Sequence, residues 1–389
     1  MNYRALTFSL FSLISVCVGF SSEIVADDRQ GCSVASEMIQ KGMDSKEDLS
    51  VREKIFRDAL VKCPKMSEGH AGLANILKGL AKFEESIKEY SAAIDLNDRI
   101  EYRLGLASVF LASGNFENAD RELDLVLSKE STNLQARQFK AIVAEKKGDI
   151  AGAIAELEKA IETNTQDALS HYNLGVLFSK NGDRRRAATS FAEACNLDGK
   201  DSESCLNAGS TFVSVGDLDQ GVVFLERAIN RDNKNDKAIT ALAVVFEKLG
   251  ELDKAELNLK RALSVTSDSV DVSRSVDIKV RLASILIRKG QESLAVESLA
   301  PLSLQVSGNP SIWATLGLAY LGLGDYSKAE SALKEVIKLD PTDAESRNNL
   351  GVALRNLDKE SEAKESFAAA LSIHPELEEA KKNLAELEE

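Results

Sequence analysis

The sequence predicts an all-α chain in which pairs of helices repeat along its length as an α-solenoid. Helix-forming Ala, Leu, Glu and Lys dominate the 389 residues, aromatic residues make up only 5% and there are only 5 prolines. Similar marks return about every 34 residues, and a Gly-Asp or Gly-Asn pair divides five of the ten resulting segments. One segment cannot bury its apolar stripe alone, so stacked neighbours must supply the core.

One segment sets the phase of the repeat. Within residues 310–343 the marks are Trp313, Leu316, Gly317, Tyr320, Ala329 and Pro341. These residues resemble the pattern of the tetratricopeptide repeat, a helix-turn-helix unit of about 34 residues. The resemblance implies a right-handed superhelical α-solenoid of about ten units followed by a C-terminal capping helix.

The same marks recur in register along the rest of the chain. The turn between the two helices recurs at Gly114-Asn115, Gly148-Asp149, Gly182-Asp183, Gly216-Asp217, Gly250-Glu251 and Gly290-Gln291. A small residue of the second helix recurs at Ala119, Ala153, Ala187, Ala255, Ala295 and Ala363. Repeats are therefore predicted to start near residues 33, 67, 100, 134, 168, 202, 236, 276, 310 and 344, within a solenoid of residues 27–377.

The two ends of the predicted solenoid differ from its middle. The first repeat is the most degenerate and is identified mainly by Phe56, Ala59 and Pro64. Residues 378–389 are rich in Glu and Lys. They are predicted to form the polar helix that a solenoid needs to cover its last apolar face.

Two departures from the repeat lie near the eighth unit. Residues 270–275 are an insertion between the seventh and eighth repeats. Pro301 falls inside the predicted second helix of the eighth repeat, where proline removes a hydrogen bond. We therefore expect that helix to be kinked or shortened and the joint there to be weak.

Residues 1–26 are predicted to be a secretory signal peptide. Arg4 precedes an uncharged run over residues 5–20, and Ala26 offers a small residue at a cleavage site. The run is shorter than the roughly 20 residues that span a bilayer as a helix. We expect a periplasmic or secreted protein without a transmembrane segment after cleavage. An uncleaved membrane anchor and a lipoprotein modified at Cys17 stay open as alternatives.

Four cysteines remain after that cleavage: Cys32, Cys63, Cys195 and Cys205. The members of each successive pair lie symmetrically about a helix-helix turn, which places them level with each other in an antiparallel hairpin. An even number of cysteines in an exported chain favours disulfides. We therefore hypothesise the pairs Cys32–Cys63 and Cys195–Cys205. Buried free thiols stay an alternative, above all for the second pair.

The sequence gives no support for catalysis. A net charge of -14 repels phosphate backbones, so a nucleic-acid partner is not expected. The sequence contains no nucleophile-elbow, zinc-protease or phosphate-loop motif, and no cysteines with zinc spacing. His70 and His171 occupy the repeat position of Trp313, and His374 lies in a turn between repeats. We predict a protein that is not an enzyme, without catalytic residues, cofactor or metal.

Binding is the better-supported function. In the family that the chain resembles, the first helices line a concave groove, and its exposed positions are the second, fifth, ninth and twelfth of each unit. Here the predicted groove residues are Leu104, Ser108, Leu111, Ile142, Leu169, Tyr172, Val176, Leu206, Ser210, Val213, Val244, Ser284, Ile287, Leu318, Leu321 and Val352. Such a groove is apolar with small polar interruptions, which is typical of an interaction surface. Ordinary packing between first helices is the alternative for about half of them.

We therefore expect a non-catalytic scaffold that binds a partner protein or peptide, as an apolar segment or amphipathic helix. The resemblance to exported members of the family suggests a cell-envelope, secretion or polysaccharide-export assembly. One alternative is a recognition or regulatory subunit of a separate enzyme such as a glycosyltransferase. Another is a purely structural spacer.

Intact-mass spectrometry of the exported protein without reduction tests the processing and the cysteine pairs together. We expect a chain that begins at Asp27 and gains the mass of four hydrogens on reduction, because two disulfides open. Four alkylatable thiols before reduction would contradict the pairing, and a retained or lipid-modified N-terminus would contradict the cleavage.

Overall fold

The computed structural model describes residues 29–44, 47–266 and 272–387, and every regular element in these ranges is an α-helix. The predicted signal peptide and residues 270–271 of the insertion lie outside the described residues. The chain divides into two compact units, residues 1–199 and 200–389. We describe each unit by itself.

Unit 1 contains five consecutive helix hairpins. Its helices are α1 Arg29–Asp44, α2 Leu49–Lys62, α3 Ser67–Gly79, α4 Phe83–Leu96, α5 Ile100–Ala112, α6 Phe116–Lys129, α7 Leu134–Lys146, α8 Ile150–Thr163, α9 Ala168–Lys180 and α10 Arg184–Leu197. Each helix packs against the next along the chain, and α1, α3, α5 and α7 also contact one another in succession. The odd-numbered helices therefore form one layer and the even-numbered helices another.

Unit 2 repeats this arrangement and ends with a single short helix. Its helices are α11 Ser202–Ser214, α12 Leu218–Arg231, α13 Asp236–Lys248, α14 Leu252–Val265, α15 Val272–Arg288, α16 Glu292–Gln305, α17 Pro310–Gly322, α18 Tyr326–Leu339, α19 Ala344–Asn356, α20 Glu360–Ile373 and α21 Glu378–Ala385. The terminal α21 packs on α20 and α19, and Leu384 and Leu387 cover the core of the last hairpin.

The first helices follow the predicted repeat frame closely. Eight of the ten begin at the residue where the frame starts a repeat: α3, α5, α7, α9, α11, α13, α17 and α19. The other two, α1 and α15, begin four residues before the predicted 33 and 276. We count positions within a repeat from the frame, and call the odd-numbered helix of each hairpin its first helix.

Seven of the hairpin turns are built by a left-handed glycine and the polar residue after it. Gly182, for example, has a φ of +82°, and the Asp183 N–H donates to the Phe178 carbonyl at 2.9 Å. This left-handed residue closes α9, and the Asp183 side chain then accepts the Arg186 N–H at 3.1 Å to cap α10. A left-handed glycine recurs at Gly114, Gly148, Gly216, Gly250, Gly290 and Gly324.

A second set of glycines lets the two helices of a hairpin touch. A Cβ added to Gly317 would lie 2.7 Å from Leu333 Cγ, and one added to Gly175 would lie 2.7 Å from a ring atom of Phe191. These partners are fully buried in the second helix. The glycine at the eighth position therefore sets the distance at which the large side chain at the twenty-fourth position packs on the first helix.

The region around Pro301 differs from the prediction. Helix α16 keeps 14 residues with Pro301 inside it, the same length as α14 and α18, so it is not shortened, and the alternative of a kink stays a prediction. Pro301 has no N–H to donate to the Glu297 carbonyl, and both residues lie on the exposed face of the helix. Helix α16 also packs between α15 and α17 as second helices do elsewhere. The described part of the insertion forms the first turn of α15, which has 17 residues.

A disulfide joins the two helices of the first hairpin. Cys32 of α1 and Cys63, which follows α2, are bonded with their Cα atoms 4.9 Å apart. Both lie in a core cluster that includes Ile39 and Phe56. Closing a loop of this size lowers the entropy of the unfolded chain and stabilises the fold by about 3–4 kcal/mol in the chain-entropy model. Cys195 and Cys205 are also buried, but they belong to different units, and their pairing stays a prediction.

Replacing Gly317 with alanine tests the close approach. We expect Gly317→Ala to lower the free energy of unfolding by about 1–3 kcal/mol, because its Cβ must displace Leu333 from a packed core. The matched control is Gly308→Ala, whose Cβ would meet nothing within 4 Å. Urea denaturation followed by circular dichroism measures both changes, and equal effects of the two substitutions would contradict the constraint.

Candidate partner-binding surface

The layer of first helices carries the residues predicted to line the groove, and they differ in exposure. Leu169 and Leu318 are 39% and 43% exposed. Partly exposed are Leu111, Val176, Leu206, Ser210, Val213, Val244, Ser284, Ile287, Leu321 and Val352. The surface of these first helices therefore presents apolar side chains in both units.

Four predicted groove residues are buried, which corrects their assignment to an open surface: Leu104, Ser108, Ile142 and Tyr172. Leu104 and Ile142 belong to one apolar cluster between α5 and α7. Ser108 donates to the Gly105 carbonyl at 2.6 Å. The ring of Tyr172 packs edge-on against Phe191 at 5.4 Å. These side chains fill contacts between helices, as expected for part of the set, and second helices contribute to those contacts, through Phe191 of α10 and Leu123 of α6.

The twelfth position of the repeat carries charges that the sequence analysis missed. Glu247 on α13 accepts hydrogen bonds from Arg281 at 2.8 Å and from Arg288 at 3.0 Å, both on α15. Arg355 on α19 pairs with Glu386, just after α21, at 2.8 Å. In each case the partner belongs to the next repeat. The signal in the sequence was a charge recurring at this position, in Lys78, Glu145, Glu247 and Arg355.

The fourth position of the repeat has a structural role that explains two of the three histidines. Its side chain contacts the carbonyl six residues earlier, in the turn between repeats. The nitrogen–oxygen pairs are His70–Pro64 at 2.9 Å, Arg137–Ser131 at 2.6 Å, His171–Thr165 at 3.2 Å, Trp313–Ser307 at 2.9 Å and Arg347–Pro341 at 2.9 Å. Imidazole, guanidinium and indole groups thus all contact the equivalent turn before their own repeat. The third histidine, His374, ends α20 and is exposed.

In unit 1 the same position also joins the two helices of a hairpin. His70, Arg103 and Arg137 each pair with a glutamate nineteen residues later, Glu89, Glu122 and Glu156, at 2.6, 2.7 and 2.9 Å. Nearby, the Arg103 guanidinium and the Lys129 ammonium lower the pKa of the Asp98 carboxyl to about 2. These contacts form a structural network on the helix surface.

Neither a metal site nor a membrane span is found in the described part of the chain. None of its His, Cys, Asp and Glu side chains gather in groups of three or more that could hold a metal ion. None of its helices combines the length and apolar character that crossing a bilayer requires.

Three family models match the sequence. A tetratricopeptide-repeat model matches residues 315–378, a TPR-repeat model matches residues 146–182, and a further tetratricopeptide-repeat model matches residues 168–201 and 202–235. The last two matches coincide with the hairpins α9–α10 and α11–α12. Residues 146–235 and 315–378 are therefore tetratricopeptide repeats.

Solved structures of other tetratricopeptide-repeat proteins are similar to this chain at low identity. One from Parabacteroides merdae is 17% identical, with 66% of this chain and 99% of that chain covered and a TM-score of 0.49. YrrB, described as having an unusual peptide-binding site, is 20% identical, with 50% and 97% covered and a TM-score of 0.41. The P58(IPK) TPR domain is 16% identical, with 93% and 98% covered and a TM-score of 0.33. No curated protein matches the sequence.

Tetratricopeptide repeats form scaffolds for protein interaction, and the fold is generally non-catalytic. The layer of first helices described above, with its partly exposed apolar side chains, agrees with that use.

Replacing Trp313 with phenylalanine tests whether the fourth position holds the turn. We expect Trp313→Phe to lower the free energy of unfolding by about 1 kcal/mol, because the ring stays but the N–H donor to Ser307 is lost. Circular dichroism during urea denaturation measures the change, since the sole tryptophan is removed. A variant as stable as the parent chain would show that the contact contributes nothing.

Proposed function

We propose that this protein is an exported, non-catalytic scaffold that binds an apolar segment or amphipathic helix of a partner protein on its first helices. The binding takes place in the periplasm or outside the cell, within a cell-envelope, secretion or polysaccharide-export assembly. The observation that carries the proposal is a row of apolar side chains left partly exposed on successive first helices of unit 2.

That row contains one or two side chains from each repeat of unit 2. Its members are Val213 on α11, Val244 on α13, Ile287 on α15, Leu318 and Leu321 on α17 and Val352 on α19. They occupy the ninth and twelfth positions of the repeat. Side chains that served only to pack helices together would be buried, whereas these are at least partly exposed. A surface of this kind fits the apolar face of a helix or the side chains of an extended segment.

Two features support export. The N-terminal sequence has the charge, apolar run and small residue of a secretory signal. The disulfide between Cys32 and Cys63 belongs to a class of bond that persists in oxidising compartments such as the periplasm.

A pair of leucine substitutions tests the surface. Leu318→Glu places a charge among the apolar side chains of the first helices, and we expect at least a tenfold loss of partner recovery, which is about 1.4 kcal/mol. Leu304→Glu is the matched control, because Leu304 lies on the second helix α16 and is 81% exposed. Affinity capture from envelope extracts with quantitative mass spectrometry measures recovery, and circular dichroism checks folding.

The proposal would be contradicted if folded Leu318→Glu recovered the same partners in the same amounts as Leu304→Glu. Loss of recovery with both variants would also count against it, because the first-helix surface would then have no special role.

A further inference from the structure

Three side chains at the twelfth position of consecutive repeats form a stripe across unit 1: Lys78 on α3, Leu111 on α5 and Glu145 on α7. The stripe crosses the layer of first helices, in which α3 contacts α5 and α5 contacts α7. In order it presents a cation, an apolar side chain and an anion. Leu111 is partly exposed, so the middle of the stripe is open to a ligand.

Lys78 is short of acceptors. Its ammonium donates one hydrogen bond, to Ser108 Oγ at 3.1 Å, and forms no ion pair with any described residue. Burial without a compensating anion lowers the pKa of the Lys78 ammonium. An ammonium has three N–H donors, so this group has capacity for a carboxylate that the chain itself does not supply.

Glu145 is short of donors. One carboxylate oxygen pairs with the Lys180 ammonium on α9. The other oxygen, Oε2, is buried, and the side chain as a whole is only 5% exposed. This oxygen nevertheless has no hydrogen-bond partner among the described residues. Glu247 shows how the same repeat position is satisfied elsewhere, since both of its oxygens accept from arginines of the next repeat. At Glu145 the second cation is missing.

The contrast with other charges of the chain makes these two groups distinctive. Lys82, at the turn of the same hairpin as Lys78, donates to both carboxylate oxygens of Glu53 at 3.0 and 2.9 Å. Arg355, at the same repeat position as Lys78, has Glu386 as its counter-ion. A buried ion without its full set of partners is unfavourable in the free protein. A ligand that supplies a carboxylate to Lys78 and an N–H donor to Glu145 would reduce this unfavourable free energy.

We propose that the stripe Lys78, Leu111 and Glu145 recognises a partner segment that carries a carboxylate, an apolar side chain and a basic side chain in that order. The carboxylate meets the Lys78 ammonium, and the basic group, as arginine does at Glu247, donates to Glu145 Oε2 once the Glu145 side chain turns outward, since that oxygen is buried in the free protein. This inference rests on the proposed function, because it assumes that partners bind on the first helices, and it adds the charge pattern that selects them.

The spacing of the helices sets the spacing of these groups in the ligand. Packed helices lie about 8–10 Å apart, so α3 and α7, two repeats apart, are separated by roughly 16–20 Å. An extended chain covers about 3.3 Å for each residue, which puts the acidic and basic residues about six positions apart. A capped heptapeptide with glutamate and arginine at its ends, leucine in the middle and alanine elsewhere matches this spacing.

Titration of the isotope-labelled exported protein with this heptapeptide, followed by NMR amide shifts, tests the stripe. We expect saturable shifts in α3, α5 and α7, and at least tenfold weaker binding when glutamine replaces the peptide glutamate or citrulline replaces its arginine. Lys78→Met should weaken the glutamate peptide tenfold and leave the glutamine peptide unchanged. Glu145→Gln should do the same for arginine against citrulline. Absence of shifts in these helices, or equal affinities across the set, overturns the inference.

Stability of the free protein gives a second, ligand-independent measurement. Lys78→Met keeps the aliphatic stem but removes the uncompensated ammonium, so we expect Tm to rise by about 2 °C. Lys82→Met is the matched control and should lower Tm, because Glu53 then loses a partner. If Lys78→Met lowers Tm as much as Lys82→Met does, Lys78 serves the fold and the inference is wrong.

These outcomes are separate from the test of the proposed function. Leu318 lies in unit 2, so its effect on partner recovery does not depend on the stripe. Loss of partner with Leu318→Glu, together with a heptapeptide that fails to bind, would overturn only the charge pattern.

Discussion

The packing of several hairpins depends on one close approach between their two helices. The eighth residue of the first helix is a glycine in several repeats, and the large apolar residue at the twenty-fourth position of the second helix packs directly on its backbone. Gly175 with Phe191, Gly209 with Leu225 and Gly351 with Phe367 show the same contact with different side chains. Because the glycine has no Cβ, the large side chain packs directly against the backbone of the first helix. The two helices therefore lie at a similar distance in each of these hairpins, and the following repeat packs on a similar surface.

Most of the fold could be predicted from the sequence because its signals are local and recur. A left-handed glycine followed by Asp or Asn marks a hairpin turn wherever it occurs, and the frame carries the assignment into repeats where the signal weakens. Ala81 and Asp358 occupy the glycine position with φ of 58° in both cases, so the backbone keeps the turn even without glycine. The frame was less successful at α1 and α15, whose extra N-terminal turns are additions that a fixed repeat length does not contain.

The surface was harder to predict because exposure depends on neighbours that a single repeat does not specify. Ser108 and Tyr172 stand at positions where the family pattern implies an open groove, yet hydrogen bonding and ring packing bury them. The charges at the twelfth position were missed because their partners lie one repeat away and vary in identity. Conversely, the fourth position is chemically varied in sequence, but His171, Arg137 and Trp313 all contact the same kind of turn carbonyl.

The disulfide makes the first hairpin differ from the last one in how its two helices are held together. A terminal repeat has a neighbour on one side only, and in a chain of nearest-neighbour contacts it is the unit that opens most readily. At the amino end a covalent link between α1 and the end of α2 opposes this opening, whereas the carboxyl end is covered by the eight-residue α21 alone. When contacts with the next repeat open, the two helices of the first hairpin therefore stay covalently joined, whereas the last described hairpin, α19–α20, contains no cysteine and has no such link.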